Sequence, residues 1–454
     1  MTVEKSKRPF VYRNPMHIPL EKNTVPSIHR GTVRPLRHRR DHVFASFSML
    51  SKKGLAPWNA WSKHCKIVVL VAAALRLGSL PIFAVEPHAI RFEIRQLCLD
   101  ANEGIAVGDI DGDGLEDVVA GRNWYSSRDW TPRPIRSIDD WNGYVESNGD
   151  YLYDVNGNGR LDVIAGSFIP TKVHWFENPG AEGLRLGQQW KTHELVDTGN
   201  STNEGQLFVD LDGNGYPEWI VNSWRKDVPT LVWRMQPVEP TKSAPARIRL
   251  VPHTLGEMAN GHGMGVGDLN GDGRLDVLVG QGWYEQPEKN PWQQPWKFQP
   301  DWDLHASIPM LVVDLNQNGR NDIIHGAGHD YGLFWWENQG TGEAGKITWK
   351  EHLIDRSFSQ PHALAWLDLD GDGQPELITG KRYFAHNGRD PGGQEPPCLY
   401  CYKWDRTSEK FQRLVIDEGN VGTGLQIASG DFNGDGKTDL AVAGKSGTYV
   451  LMAQ

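Results

Sequence analysis

From about residue 90 onward, short apolar runs alternate with acidic, glycine-rich loops, and the order recurs along the chain. GIAVGD at 104–109 leads into an acidic loop, then DVVAG and the aromatic RNWY. GMGVGD at 263–268 is followed in the same way by DVLVG and QGWY, and PMLVVD at 309–314 by DIIHG and LFWWEN. Each apolar run is about five residues long and rich in Val, Ile and Leu, which is the length of a strand rather than a helix. A further alternating run lies between repeats: WKTHELVD at 190–197, RIRLVPH at 247–253, WKEHLID at 349–355 and FQRLVID at 411–417. Each repeat therefore offers four strands, and no helical period competes.

The loops follow D-x-[DN]-G/Q-[DN]-G-x-x-[DE] and occur seven times, at 109–117, 154–162, 210–218, 268–276, 314–322, 368–376 and 431–439. Seven four-stranded units predict an all-β, seven-bladed β-propeller, because a unit that cannot bury its own apolar faces must stack on its neighbours. The ends of the chain predict how the ring closes. IRFEIRQLCLD at 90–100 reads as a fourth strand with no first three before it, and TYVLMAQ at 448–454 as a third strand with no fourth after it. The N-terminal strand then completes the last blade and removes the exposed edges.

Oxygen side chains at loop positions 1, 3, 5 and 9, with Gly at position 6 for the tight turn, suit a hard cation such as Ca2+. The candidate ligands are Asp109, Asp111, Asp113 and Asp117; Asp154, Asn156, Asn158 and Asp162; Asp210, Asp212, Asn214 and Glu218; and Asp268, Asn270, Asp272 and Asp276. The last three loops supply Asp314, Asn316, Asn318 and Asp322; Asp368, Asp370, Asp372 and Glu376; and Asp431, Asn433, Asp435 and Asp439. Carboxylate count ranks loops 1 and 6, with four each, as the tightest, and loops 2 and 5, with two each, as the weakest.

These repeats resemble the FG-GAP/VCBS-repeat propellers, the group that includes the integrin α-subunit head, over roughly residues 90–454. The literal Gly-Ala-Pro signature is missing. The resemblance implies calcium between the first and second strands of each blade and a ligand on the opposite face. Repeats 4 to 6, including GKRYFAHNGRDPG, more loosely resemble the propeller part of aldos-2-ulose dehydratase, which implies sugar elimination without assigning its active-site residues here.

Aligning the repeats brings out a second pattern. Six residues before each loop stand Glu103, Asn148, Glu204, His262, Ile308, His362 and Leu425, which a propeller gathers around its axis opposite the calcium loops. Small or apolar residues are the ordinary filling there. Glu103, Glu204, His262 and His362 form instead a candidate set for a second metal, Zn2+ or Mn2+. The loops between second and third strands open on the same face and supply Arg122, Trp124, Trp224, Trp283, Arg382 and His386 as candidate ligand-binding residues. Indole faces stack on sugar C–H surfaces, and cationic groups hold carboxylates or hydroxyls. Elimination next to a carbonyl needs a base, an acid and an electrophile, and His262, His362, Tyr383, Lys381 and His329 are the catalytic candidates. The insertion RYFAHNGRDPGGQEPP after Lys381 is a candidate lid.

Composition narrows the partners. Residues 1–66 carry fourteen Lys and Arg against three Asp and Glu, and IVVLVAAAL followed by LGSLPIFA at 67–84 then reads as a signal segment, too short for a membrane span. This predicts an exported protein, periplasmic or extracellular, with the basic leader disordered or the result of a mis-assigned start. Residues 85–454 carry 32 Lys and Arg against 54 Asp and Glu, a net of −22, which argues against nucleic acid as a partner. Cys398 and Cys401 begin a strand and point to opposite faces, so a shared metal is not expected. The expected function is an exported, calcium-stabilised propeller that binds a carbohydrate or sugar derivative in its axial mouth, with metal-assisted lyase or dehydratase activity as the catalytic form. The alternative is a non-catalytic adhesion or carbohydrate-binding module, with protein partners on the same face.

Overall fold

The computed structural model describes residues 90–454 except 224, 226, 241–246 and 343–344. The basic leader and signal segment expected at 1–84 lie outside the described residues, and among those described no helix is long and apolar enough to cross a membrane. The chain forms seven four-stranded antiparallel sheets. Blade 1 runs Ala106–Gly108, Asp117–Ala120, Asn123–Tyr125 and Pro132–Pro134, and blade 6 runs Pro361–Leu367, Glu376–Lys381, Cys398–Asp405 and Lys410–Glu418. Blade 7 is completed from the other end of the chain. Phe92–Cys98 pairs antiparallel with Gly447–Ala453, from Phe92 opposite Ala453 to Cys98 opposite Thr448. The expected closure is thus realised, and the sheet edge it would otherwise leave is paired.

The alternating runs predicted as fourth strands form Lys191–Asp197, Arg247–Gly256, Ile347–Ser359 and Lys410–Glu418. Blades 1 and 4 have only three-residue fourth strands, Pro132–Pro134 and Lys297–Gln299. Two elements were not expected: a one-turn helix at Gly180–Arg185, and a small hairpin pairing Asp140–Trp141 with Tyr144–Val145 between blades 1 and 2.

The apolar core lies between blades. Tyr151 and Ile164 of blade 2 pack with Trp219, Val221 and Trp233 of blade 3, and Val118 and Tyr125 of blade 1 with Ala441 and Val450 of blade 7. Both faces of the inner strands are covered, so Asp117–Ala120 and Asp276–Val279 are buried at every position. Burying a Val or Leu side chain contributes about 1.5–3 kcal/mol, so the six interfacial clusters form the main apolar stabilisation. Cys398 and Cys401 are buried thiols in the largest of these clusters.

The acid at loop position 9 fixes the blade geometry. In six of the seven loops it accepts the N–H of loop position 2 at 2.9–3.1 Å. In five blades its other oxygen accepts a backbone N–H at or beyond the third strand, as Asp117 does from Ser127 at 3.0 Å and Asp439 from Ala453 at 2.7 Å. A single carboxylate therefore ties the loop to both strands it connects, satisfying backbone donors that would otherwise be buried unpaired.

Candidate functional site

At the acidic-loop end, the Asp at position 1 organises the loop through its own backbone. Asp109 accepts N–H bonds from Gly112, Asp113 and Gly114 at 2.8–3.0 Å. Loops 1, 3 and 6 bring carboxylate oxygens from positions 1, 3 and 9 within 4.8 Å of one another: Asp109, Asp111 and Asp117; Asp210, Asp212 and Glu218; Asp368, Asp370 and Glu376. Loops 1 and 3 fit a hard divalent cation. Burial raises the position-9 acids, Asp117 to about 7 and Glu218 to about 8, with the neighbouring loop carboxylates adding to the effect; in loop 1 Arg128 pairs with Asp113, outside the three-carboxylate cluster, at 2.5 Å. Loop 6 differs. The Lys403 ammonium reaches Asp370, lies 3.1 Å from Asp372 and 3.5 Å from Glu376, and so places an internal cation among the carboxylates. The equal ranking of loops 1 and 6 by carboxylate count overlooks this lysine, which any cation at loop 6 would have to displace.

At the opposite end, the seven axial positions do converge, and all seven are buried. Glu103 and Glu204 are not left for a metal. Arg382, reaching across from blade 6, donates from Nε and Nη2 to Glu103 at 2.8 and 2.7 Å, and its Nη1 lies 2.7 Å from Glu204. Lys445 approaches Glu103 at 3.9 Å and packs over the Tyr144 ring at 4.0 Å. Two carboxylates and two cations thus form a neutral ionic plug, with the Arg382 and Glu side chains at most 2% exposed. Burial alone would raise Glu103, but Arg382 and Lys445 outweigh it and hold it at about 2. Burial lowers Lys445 to about 8 against the pull of Glu103. The four-residue metal set read from the alignment is accordingly divided: its two glutamates belong to Arg382.

The histidines gather on the other side of the mouth. The His262 ring lies 5.4 Å from that of His362, 4.6 Å from His329 and 3.6 Å from His305. His329 stacks on His386 at 4.6 Å. Asp390, in the insertion after Lys381, holds two of these rings, His329 Nδ1 at 3.0 Å and His386 Nδ1 at 2.8 Å, and also accepts from Gln360 at 2.7 Å. Burial lowers His386 to about 3 despite Asp390, and lowers His362 well below the ordinary histidine range, with Arg382 adding to the effect. His362 and His386 are therefore held neutral, and the Nδ1 atoms of His329 and His386 both face Asp390. Accessibility is graded: His362 is fully buried, His329 and His386 are 12% and 13% exposed, and His305 is exposed.

The remaining candidates are distributed unevenly. Lys381 is buried and donates to Ser359 Oγ at 2.6 Å and to the Gly392 carbonyl at 2.5 Å, which pins the insertion to blade 6. Tyr383 is partly exposed beside the exposed Phe384. Arg122 is paired with Asp100 and Asp140 at 2.9 and 2.6 Å and fixes local loops. Trp124 and Trp283 are placed in the core between blades rather than at the mouth, with Trp283 donating to Asp301 at 2.9 Å. Trp224 lies outside the described residues. Sequence reasoning missed Asp390, His305 and Lys445. The GK at the end of the second strand in both the sixth and seventh repeats was an available signal for Lys445.

Comparison with known proteins agrees with this architecture. The FG-GAP-like repeat model matches residues 154–221 and 314–379, and the FG-GAP repeat model matches 260–287 and 423–451. The chain belongs to the FG-GAP-repeat seven-bladed β-propellers. No curated protein matches it significantly by sequence. Similar solved structures include an Agrocybe aegerita lectin that recognises non-reducing terminal N-acetylglucosamine, at 17% identity over 78% of this chain and 85% of that one, TM-score 0.43. The PQQ-bound aldose sugar dehydrogenase of Streptomyces coelicolor aligns at 13% identity over 71% and 100%, TM-score 0.36. The V. cholerae biofilm matrix protein Bap1 aligns at 13% identity over 74% and 44%, TM-score 0.32.

Proposed function

We propose that this protein is an exported, calcium-stabilised propeller that binds a carbohydrate or sugar derivative at its axial mouth. The observation that carries the reading is the division of the mouth into a closed ionic half and an accessible histidine half. Arg382, Glu103 and Glu204 satisfy one another, whereas His305 is exposed and His329 and His386 are partly exposed, and the segment that carries His386 also carries the partly exposed Tyr383 and the 39%-exposed Phe384. Imidazole and carboxylate groups next to an aromatic face suit a ligand that is hydroxyl-rich on its edges and apolar on its C–H faces. Calcium acts at the other end of the blades, as a cross-link for the strand connections rather than as a reactant.

A catalytic and a purely binding form of this reading separate on one assay. The purified protein is screened on a glycan array, and the bound saccharides are then incubated with it and resolved by anion-exchange chromatography. Binding with new unsaturated products supports a lyase or dehydratase, and binding without turnover supports the adhesion or carbohydrate-binding module. No saccharide bound in calcium buffer overturns both.

A further inference from the structure

The histidine half of the mouth is built more closely than ligand contact alone requires. Single ring nitrogens of His262, His329 and His362 lie within 4.8 Å of one another. A tetrahedral zinc site, with Zn–N of 2.0–2.1 Å, needs them about 3.3 Å apart, so a contraction of no more than about 1.5 Å closes the set. Two of the rings are already held through Nδ1. His262 Nδ1 is 2.6 Å from the Ala306 carbonyl, and His329 Nδ1 is 3.0 Å from Asp390. Carbonyl–histidine and carboxylate–histidine pairs of this kind fix the tautomer and present the remaining nitrogen to a metal. The third ring, His362, is 0% exposed, and neither of its nitrogens has a hydrogen-bond partner. A polar ring left unsatisfied at that depth is destabilising, and a metal–nitrogen bond would offset it.

The backbone around the cluster is strained in the same place. Gln360, Phe384, His386 and Asn387 all adopt left-handed φ of 51–58°, unusual for residues other than glycine. Gln360 holds Asp390 and precedes Pro361–His362, so this strain fixes both an orienting carboxylate and a ring. Gly328 leaves the space that His262 fills: a Cβ there would stand 2.7 Å from His262 Cε1.

We propose that the axial mouth is a transition-metal centre, with zinc as the fitting ion, ligated by one ring nitrogen each of His262, His329 and His362 and oriented by Asp390 and the Ala306 carbonyl. Three imidazoles favour a borderline ion over calcium, so the centre is chemically separate from the acidic loops at the other end of the blades. A three-ligand set also leaves a position for water or a ligand oxygen on the accessible side, towards His305. The centre stands independently of the saccharide reading, because its test contains no sugar.

The test uses the purified full chain, stripped with EDTA and returned to excess calcium to fill the acidic loops. Zinc bound per chain is then measured by elemental analysis, and Co2+ is titrated in parallel and followed by visible absorption. The expected result is one zinc per chain that calcium does not displace, and the intense visible bands of four-coordinate cobalt. His329→Ala and His362→Ala should each weaken zinc binding at least 100-fold. Asp390→Asn should weaken it 10- to 100-fold with the cobalt bands kept. Absence of four-coordinate cobalt bands in the wild-type protein overturns the proposal without recourse to any variant, as does undiminished zinc binding in His329→Ala/His362→Ala.

Discussion

Arg382→Met is the most informative single perturbation of the axis, because the guanidinium bridges Glu103 and Glu204 at 2.7 Å each while Lys445 stands off at 3.9 Å from Glu103. Its side chain is 1% exposed, as is that of Glu204, and Glu103 is 2% exposed, so its loss leaves two buried carboxylates with only Lys445, 3.9 Å from Glu103, to offset them. The drop of Glu103 from 4.5 to about 2 corresponds to about 3 kcal/mol. Removing one partner of a buried ion pair costs about 3–5 kcal/mol in general, and the two figures agree. The pH dependence should also reverse. In the wild type the folded value of Glu103 is depressed, so its contribution is present above pH 4.5 and lost as pH falls towards 2. In Arg382→Met, burial raises both glutamates, so the variant is at its best below the unfolded value and loses stability as pH rises to neutrality. Urea denaturation in calcium buffer at pH 3, 5 and 8 measures both the size and the sign, the wild-type slope lying between pH 3 and 5 and that of the variant between pH 5 and 8. Adding Glu103→Gln and Glu204→Gln to Arg382→Met should recover much of the loss and abolish the new pH slope. A cost under about 1 kcal/mol, or no change of slope sign between wild type and variant, would refute the ionic plug.

Further predictions concern the calcium end, the closure and the insertion. Chelation should lower the melting temperature, and the chelated protein should melt higher at pH 5 than at pH 8: burial raises Asp117 and Asp276 to about 7, so their contribution is lost as pH rises through that value. Scanning fluorimetry with and without EDTA decides this, and an unchanged midpoint after verified removal of metal counts against it. Deleting residues 90–100 should expose the edge of Gly447–Ala453 and give aggregation or a large loss of stability, which light scattering and melting curves would detect. Gly392→Ala should loosen the insertion, because Gly392 has φ of 68° and a Cβ there would meet Tyr331 Oη at 2.4 Å and Ser359 Oγ at 2.5 Å. A loss of about 1–3 kcal/mol is expected, with faster proteolysis within 384–397 as the readout.

The parts of this molecule that repeat were legible in its sequence, and the parts that occur once were not. The period placed the seven loops and put Glu103, Glu204, His262 and His362 on one ring, because every innermost strand enters at the same phase. It could not show that Arg382 would take both glutamates, since Arg382 and Glu103 are 279 residues apart and meet only through ring closure. Trp124 and Trp283 were misplaced because both faces of an inner blade are buried, so alternation no longer marks an outward side. Asp390 stands in an insertion with no counterpart in the other repeats, and Lys403 sits on a third strand that supplies no loop ligand; neither could be aligned to a role.

The most direct test of the functional account is a crystal structure of the calcium-loaded protein with the best-binding saccharide from the array. Density for the sugar in the axial mouth, against His305, His329 and His386 and beside Tyr383, is the expected result. Density at the blade rims or on the calcium-loop face, with the mouth unchanged, would contradict it.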